Sequence, residues 1–202
     1  MSKIAFFCIP AQGHTNPTLE VVKELIRRGN KVRYYSYDIM KEKIKAAGAE
    51  YISCDAYDFQ MKLSPEDAER ISTDVAFSTT LLVNMTLAMD EALIGEMKQW
   101  KPDVIVADSM AMWGKLVAFK LAVPFMSSTT TFAFNRYSAK IMKQSASQLV
   151  KMLLAIPKAN QQIKRLQRKG YPVKNVLSVV QNDNSTGELF DCAQRKSNRS
   201  AA

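Results

Sequence analysis

Lys3 to Cys8 is an almost continuous apolar run near the amino terminus, closed by Pro10 and Gly13 before an amphipathic stretch begins. A run this short and this apolar suits a strand buried on both faces, as in parallel sheets. The stretch that follows reads as a helix, with Leu19, Val22, Leu25 and Ile26 on one face opposite Glu20, Lys23, Glu24 and Arg27. Asn16 suits its cap, Pro17 its first helical position and Gly29 its left-handed stop. Lys31 to Ser36 reads as a second strand, Ile39 to Ala47 as a helix stopped by Gly48, and Glu50 to Ser53 as a third strand. Strands and helices alternating at this spacing call for right-handed crossovers, so the first fifty residues predict a β-α-β-α-β unit on a parallel sheet.

The pattern breaks between Cys54 and Leu63, a predicted surface loop, and Ser64-Pro65-Glu66 opens a long helical region that runs to Trp100. Val75, Leu82, Met85, Met89, Leu93 and Met97 recur there at helical spacing, which argues for a core face; an adaptable methionine-rich binding surface is the alternative. Lys101-Pro102 punctuates, Asp103 to Ala107 reads as a fourth strand with Asp108-Ser109 at its carboxyl end, and a helix follows from about Met112 to Leu121. A short strand, Val123 to Met126, leads to the hydroxyl run Ser127-Ser128-Thr129-Thr130-Thr131, which either caps a helix or lines a crevice. Ser138 to Ile156 is amphipathic, with Ile141, Met142, Leu149, Met152, Leu153 and Ile156 on one face. Pro157 interrupts it, and Ala159, Ile163 and Leu166 resume the pattern until Gly170. Residues 1–175 therefore predict a Rossmann-like, doubly wound α/β domain. Residues 176–202 predict a polar tail, largely disordered.

Apolar runs such as Ile4 to Ile9 and Met152 to Ile156 fall well short of the roughly 18 to 20 residues that a membrane span needs. Ile4 to Ile9 is also too short for a secretory signal core, and the three scattered cysteines, Cys8, Cys54 and Cys192, fit neither a disulfide framework nor metal-ligand spacing. A reducing cytoplasm is the expected home. The net charge of +9 suggests nucleic acid until it is located. Of the 28 Lys and Arg, nine fall between 140 and 174, where there is no acid, and the other 19 balance the 19 Asp and Glu. That segment lacks the aromatic interleaving of single-strand binders and any zinc or basic-zipper pattern. A solvated face is its ordinary reading, with a membrane surface or an acidic partner as alternatives.

His14 is the only histidine. In a doubly wound sheet the strand order reverses between the first strand and the one that restarts on the other side, here the fourth, and ligands bind outside the carboxyl ends of those two strands. His14 follows strand one and Asp108 follows strand four, so the topology puts an imidazole and a carboxylate at the mouth of one crevice. A neutral imidazole oriented by a carboxylate can act as a general base. The alternative is that His14 satisfies turn backbone and Asp108 caps the next helix. No Gly-x-Gly-x-x-Gly follows strand one, and there is no Gly-x-x-x-x-Gly-Lys-Ser/Thr or Gly-x-Ser-x-Gly, so dinucleotide, P-loop and serine-hydrolase sites lack their motifs. No metal site is suggested, and Asp55 and Asp58 read as a solvated loop pair. A flavodoxin-like nucleotide binder is a further reading of the same fold.

Gln12-Gly13-His14-Thr15-Asn16-Pro17 after strand one, Asp103 to Asp108 with Trp113-Gly114 behind it, and Val123-Pro124-Phe125 resemble the N-terminal, acceptor-binding half of metal-independent GT-B glycosyltransferases. The likeness is to the bacterial macrolide and flavonoid UDP-glycosyltransferases and covers roughly residues 1 to 175. It implies that His14 deprotonates an acceptor hydroxyl, that Asp108 orients it, and that Thr15 and Asn16 at the helix amino end approach the departing diphosphate. It further implies contacts to acceptor or sugar donor by Gln12, Gly13, Met85, Trp113, Ser128 and Thr129. The acceptor is then a small, apolar, hydroxylated molecule, UDP-sugar is the donor substrate, and no cofactor is required. Such enzymes carry a second domain with a histidine-glycine motif for the nucleotide sugar. With His14 as the sole histidine, the resemblance implies that a donor domain is supplied from elsewhere.

Overall fold

The computed structural model describes residues 1–55, 66–67, 70, 74–128, 146–171 and 173–174. The elements are β1 (Lys3–Phe7), α1 (Gln12–Arg27), β2 (Lys31–Ser36), a 3₁₀ turn (Asp38–Met40), α2 (Lys41–Ala46), β3 (Glu50–Ser53), α3 (Val75–Trp100), β4 (Val104–Asp108), α4 (Met112–Leu121), β5 (Phe125–Ser128) and α5 (Ala146–Arg168). The five strands form one parallel sheet in the order β3-β2-β1-β4-β5. The order reverses between β1 and β4, as the strand-helix alternation implied. The chain is a Rossmann-like α/β domain.

Side-chain alternation along β1 divides the core. Ile4, Phe6 and Cys8 pack with Val22, Val32, Tyr34 and Ile44 under α1 and α2, while Ala5 and Phe7 pack with Tyr35, Ile105 and the α3 residues Met85, Met89, Leu93 and Met97. Period-two burial on both faces is what a central parallel strand requires. Neighbouring rings reinforce the β1–β2 pair, Phe6 stacking on Tyr34 at 4.9 Å and Phe7 on Tyr35 at 4.5 Å between centroids. The methionines of α3 are thus core residues.

Several boundaries differ from expectation. Helix α1 starts at Gln12 with Ala11 at its cap, so Pro17 lies inside it and Asn16 is not the cap. The Ala11 carbonyl accepts from both the His14 and Thr15 N–H groups (3.0 and 2.8 Å), which winds the chain into helix before the proline. Proline removes the bond that residue 17 would make to the Gly13 carbonyl. Burial of Thr15, Thr18 and Val22 against the sheet holds the helix together regardless. Gly29 stops α1 at φ 83°, its N–H bonding the Ile26 carbonyl, as the sequence implied.

Helix α3 begins at Val75, where the Asp74 carboxylate accepts from the Phe77 N–H at 2.9 Å. The start expected at Ser64 lies outside the described residues. Strand β5 is Phe125–Ser128 rather than Val123 to Met126, because Ala122 turns left-handed (φ 54°) and the register pairs Ile105 with Phe125 and Asp108 with Ser128. Ser127 and Ser128 therefore belong to the strand.

Pro157 does not interrupt α5, which runs unbroken through it. Pro157 is exposed, so water can take the Leu153 carbonyl that proline leaves without its helical partner. Ala159, Ile163 and Leu166 bury against Val83 and Leu116. Leu153 and Ile156, expected on the buried face, are 61% and 38% exposed: Leu153 lies roughly 110° round the helix from the side carrying Ala159, Ile163 and Leu166, whereas Ile156 is on that side, one heptad before Ile163. Ser138, Ile141, Met142 and the tail at 176–202 lie outside the described residues.

Candidate functional site

The carboxyl ends of β1 and β4 deliver the two residues that the topology predicted would meet. His14, in the first turn of α1, places Nδ1 2.8 Å from Oδ1 of Asp108, the last residue of β4. The Asp108 side chain is wholly buried and that of His14 is 19% exposed, so the pair runs from the interior toward solvent. The second carboxylate oxygen, Oδ2, accepts the Met110 N–H at 3.0 Å, and the Asp108 carbonyl accepts the Ala111 N–H at 2.9 Å. Oδ2 and the carbonyl are thereby fixed by the turn that follows, and Oδ1 faces His14. A carboxylate acceptor on Nδ1 favours the tautomer protonated there, which leaves the lone pair on Nε2.

Glycine 114 sets the approach of α4 to β1. A Cβ at that position would sit 2.7 Å from the Phe7 Cβ and Cγ, so only glycine lets the helix come this close. Trp113 beside it is fully buried, its ring meeting Tyr37 edge-on at 6.5 Å, and its indole N–H has no hydrogen-bond partner among the described residues.

Beneath α1 lies a buried polar group that sequence inspection missed. The Thr15 hydroxyl donates to the Ile9 carbonyl at 3.3 Å and sits 3.8 Å from the Cys8 sulfur. The Thr18 hydroxyl donates to the Thr15 carbonyl at 2.7 Å and also lies 2.7 Å from the Tyr34 hydroxyl. Burial pushes the Cys8 thiol up to about 11 and the Tyr34 phenol well above its ordinary range. These groups stay neutral and tie the first two turns of α1 to β1 and β2. The signal available was Thr15 and Thr18 recurring on the face that also carries Val22.

The expected contact residues divide accordingly. Gln12 and Gly13 are exposed and His14 is half-buried in the first turn of α1, and Ser128 stands beside Asp108 in the sheet. Thr15 is buried and turned toward the strand, so it does not form the helix amino end; Gln12 and Gly13 do. Asn16 is exposed in the second turn, its side-chain oxygen accepting from Lys43 of α2 at 3.4 Å. Met85 and Trp113 are core residues. Thr129 and Asp58 lie outside the described residues. Asp55 accepts the Asp38 N–H at 2.6 Å and is a loop brace. Among the described residues no group of three or more His, Cys, Asp or Glu could hold a metal ion.

A doubly wound sheet with an imidazole-carboxylate pair at its switch point defines a Rossmann-like α/β domain. No protein-family model matches the chain. It is 32% identical over 145 residues to the demethyllactenocin mycarosyltransferase of Streptomyces fradiae, covering 69% of this chain and 32% of that one. It is 30% identical over 137 residues to the NDP-glycosyltransferase YjiC of Bacillus licheniformis, covering 66% of this chain and 34% of the relative. The solved glycotransferase of kitacinnamycin shares its fold, with a TM-score of 0.67 at 21% identity over 89% of this chain and 43% of that one. Over about two thirds of its own length the chain is therefore similar to bacterial macrolide and nucleotide-sugar glycosyltransferases, and it shares the fold of one half of a solved glycosyltransferase. It spans about a third of the length of the curated relatives it matches.

Proposed function

We propose that this chain is the acceptor-binding half of an inverting, metal-independent glycosyltransferase that moves a sugar from a UDP-sugar to a hydroxyl of a small apolar molecule. The observation that carries the reading is the 2.8 Å contact between His14 and Asp108 at the switch point, in a chain whose relatives are glycosyltransferases. Nε2 of His14 takes the proton of the acceptor hydroxyl. The oxygen attacks the anomeric carbon from the face opposite the diphosphate, the bond to the diphosphate oxygen breaks, and UDP leaves with the electron pair. Asp108 holds the ring and stabilises the imidazolium that forms. A placed base of this kind supplies about a hundredfold to ten-thousandfold in rate.

The leaving diphosphate gains charge as the bond breaks, and the amino end of a helix favours an anion there. That end begins at Gln12 and Gly13, so these two residues take the part that the resemblance gave to Thr15 and Asn16. Ser128 flanks Asp108 and would contact the acceptor. The sugar nucleotide is held by a second domain, on a longer polypeptide or a separate chain, and the reaction is cytoplasmic.

The test is UDP-sugar transfer to a panel of hydroxylated apolar acceptors with a donor domain supplied, comparing wild type with His14→Ala. The expected result is a loss of about a hundredfold to ten-thousandfold with the fold intact. Undiminished transfer in His14→Ala would remove the base from this account.

A further inference from the structure

Nine large apolar side chains stand exposed among the described residues, and four of them, Val150, Leu153, Leu154 and Ile156, fall within two turns of α5. Scattered exposed apolar residues are ordinary, but a contiguous group marks a contact surface. Leu154 is 75% exposed and Val150 54%. The carboxyl half of the same helix exposes Lys158, Lys164, Arg165 and Arg168. At 100° per residue, Val150, Leu154, Lys164, Arg165 and Arg168 all lie opposite the buried side that carries Ala159, Ile163 and Leu166. The outward face of α5 is thus apolar at one end and cationic at the other.

Little neutralises the cationic end. No Asp or Glu occurs between 140 and 174. The acidic neighbour on α3 is Glu91, 4.0 Å from Lys169, and Arg165 bonds only the neutral Asn84 and Gln162 side chains at 2.7 and 2.8 Å. Lys158, Lys164 and Arg168 form no ion pair among the described residues. Lys164, Arg165 and Arg168 with Gln161 and Gln162 line a cavity of about 360 Å³, none of whose residues belongs to the His14–Asp108 crevice. No helix among the described residues is long and apolar enough to cross a membrane, so α5, 23 residues and roughly 35 Å long, could only lie along one.

We propose that the outward face of α5 docks this protein on an anionic phospholipid surface. Val150, Leu153 and Leu154 enter the headgroup boundary, and Lys158, Lys164, Arg165 and Arg168 take the lipid phosphates. Apolar insertion beside a basic cluster is the combination that binds charged bilayers reversibly. Charge complementarity selects the occupant, since an apolar partner alone would leave the cationic end without a counter-charge. The proposal is independent of the transfer chemistry assigned to His14.

The experiment is co-sedimentation of the full chain with vesicles of phosphatidylcholine alone or of phosphatidylcholine mixed with phosphatidylglycerol, with circular dichroism as the fold control. Binding is expected only with phosphatidylglycerol and should weaken as salt rises. Lys164→Gln with Arg165→Gln and Arg168→Gln should weaken it about a hundredfold, at about fivefold per near-surface charge. Leu153→Ser with Leu154→Ser should weaken it about tenfold or more. Equal binding to both vesicles, no binding, or folded variants that bind as wild type would overturn the proposal. Retention on heparin without vesicle binding would give the face to a soluble polyanion and overturn it equally.

Discussion

Two buried carboxylates in this domain meet different fates. Asp90, on α3, is enclosed by the helical layer: Lys120 of α4 donates to its two oxygens at 2.9 and 3.0 Å, and the Tyr171 hydroxyl donates to Oδ1. The same lysine lies 4.6 Å above the Tyr171 ring. Burial first, and then the Asp90 carboxylate, push the Tyr171 phenol far above its ordinary range, so it remains a hydrogen-bond donor. Asp108 has just as little solvent, but its partner is a partly exposed imidazole. Lysine carries a standing charge, whereas an imidazole has a second ring nitrogen that can take up or give back a proton. The first arrangement fastens α4 and the end of α5 to α3. The second, in the proposed function, exchanges a proton with the acceptor.

The contrast breaks if substitutions at the two sites behave alike. Asp108→Asn, assayed with a donor domain present, should lower sugar transfer by about a hundredfold or more, because the amide no longer stabilises the imidazolium. The melting transition should move far less than the rate. Lys120→Ala should do the reverse, destabilising the domain by about 3 to 5 kcal/mol by leaving a buried charge without its cation, with little effect on transfer by the molecules that remain folded. Denaturant unfolding reads the second effect and initial rates read the first.

A smaller effect separates the buried polar group under α1 from both carboxylates. The folded Cys8 thiol is raised to about 11 by burial, while an unfolded thiol titrates near its ordinary 8.5 to 9. The folded state therefore binds this proton more tightly, and stability is complete below about pH 8.5 and declines as pH rises toward 11. The loss is on the order of 3 kcal/mol at its largest. Denaturation midpoints of wild type and Cys8→Ala between pH 8 and 11 should show a steeper decline for wild type.

Much of the fold was legible because the first fifty residues switch cleanly between a period of 2 and a period near 3.6. The meeting of His14 and Asp108 followed from strand order alone. Helix ends were less legible. Pro17 looked like a helix start because proline suits a first turn, yet the carbonyl of Ala11 and the buried face of Thr15 and Thr18 extend α1 back to Gln12. Pro157 looked like a break, but its exposure lets α5 continue. The outward set of Val150, Leu153 and Leu154 was hidden because apolar spacing cannot tell a core face from a docking face. Contacts of Asp108 with the Met110 N–H, and of Lys120 and Tyr171 with Asp90, join residues that carry no shared pattern along the chain.

The central claim is that Asp108 holds the only imidazole with its proton on Nδ1 and its lone pair on Nε2. Nitrogen-15 NMR of the His14 ring reads this directly, since one histidine gives one pair of ring signals. In neutral rings of wild type the Nδ1-protonated tautomer should dominate, and Asp108→Ala should shift the balance toward the Nε2-protonated form. A wild-type ring protonated mainly on Nε2, or a balance unchanged by Asp108→Ala, would contradict the account.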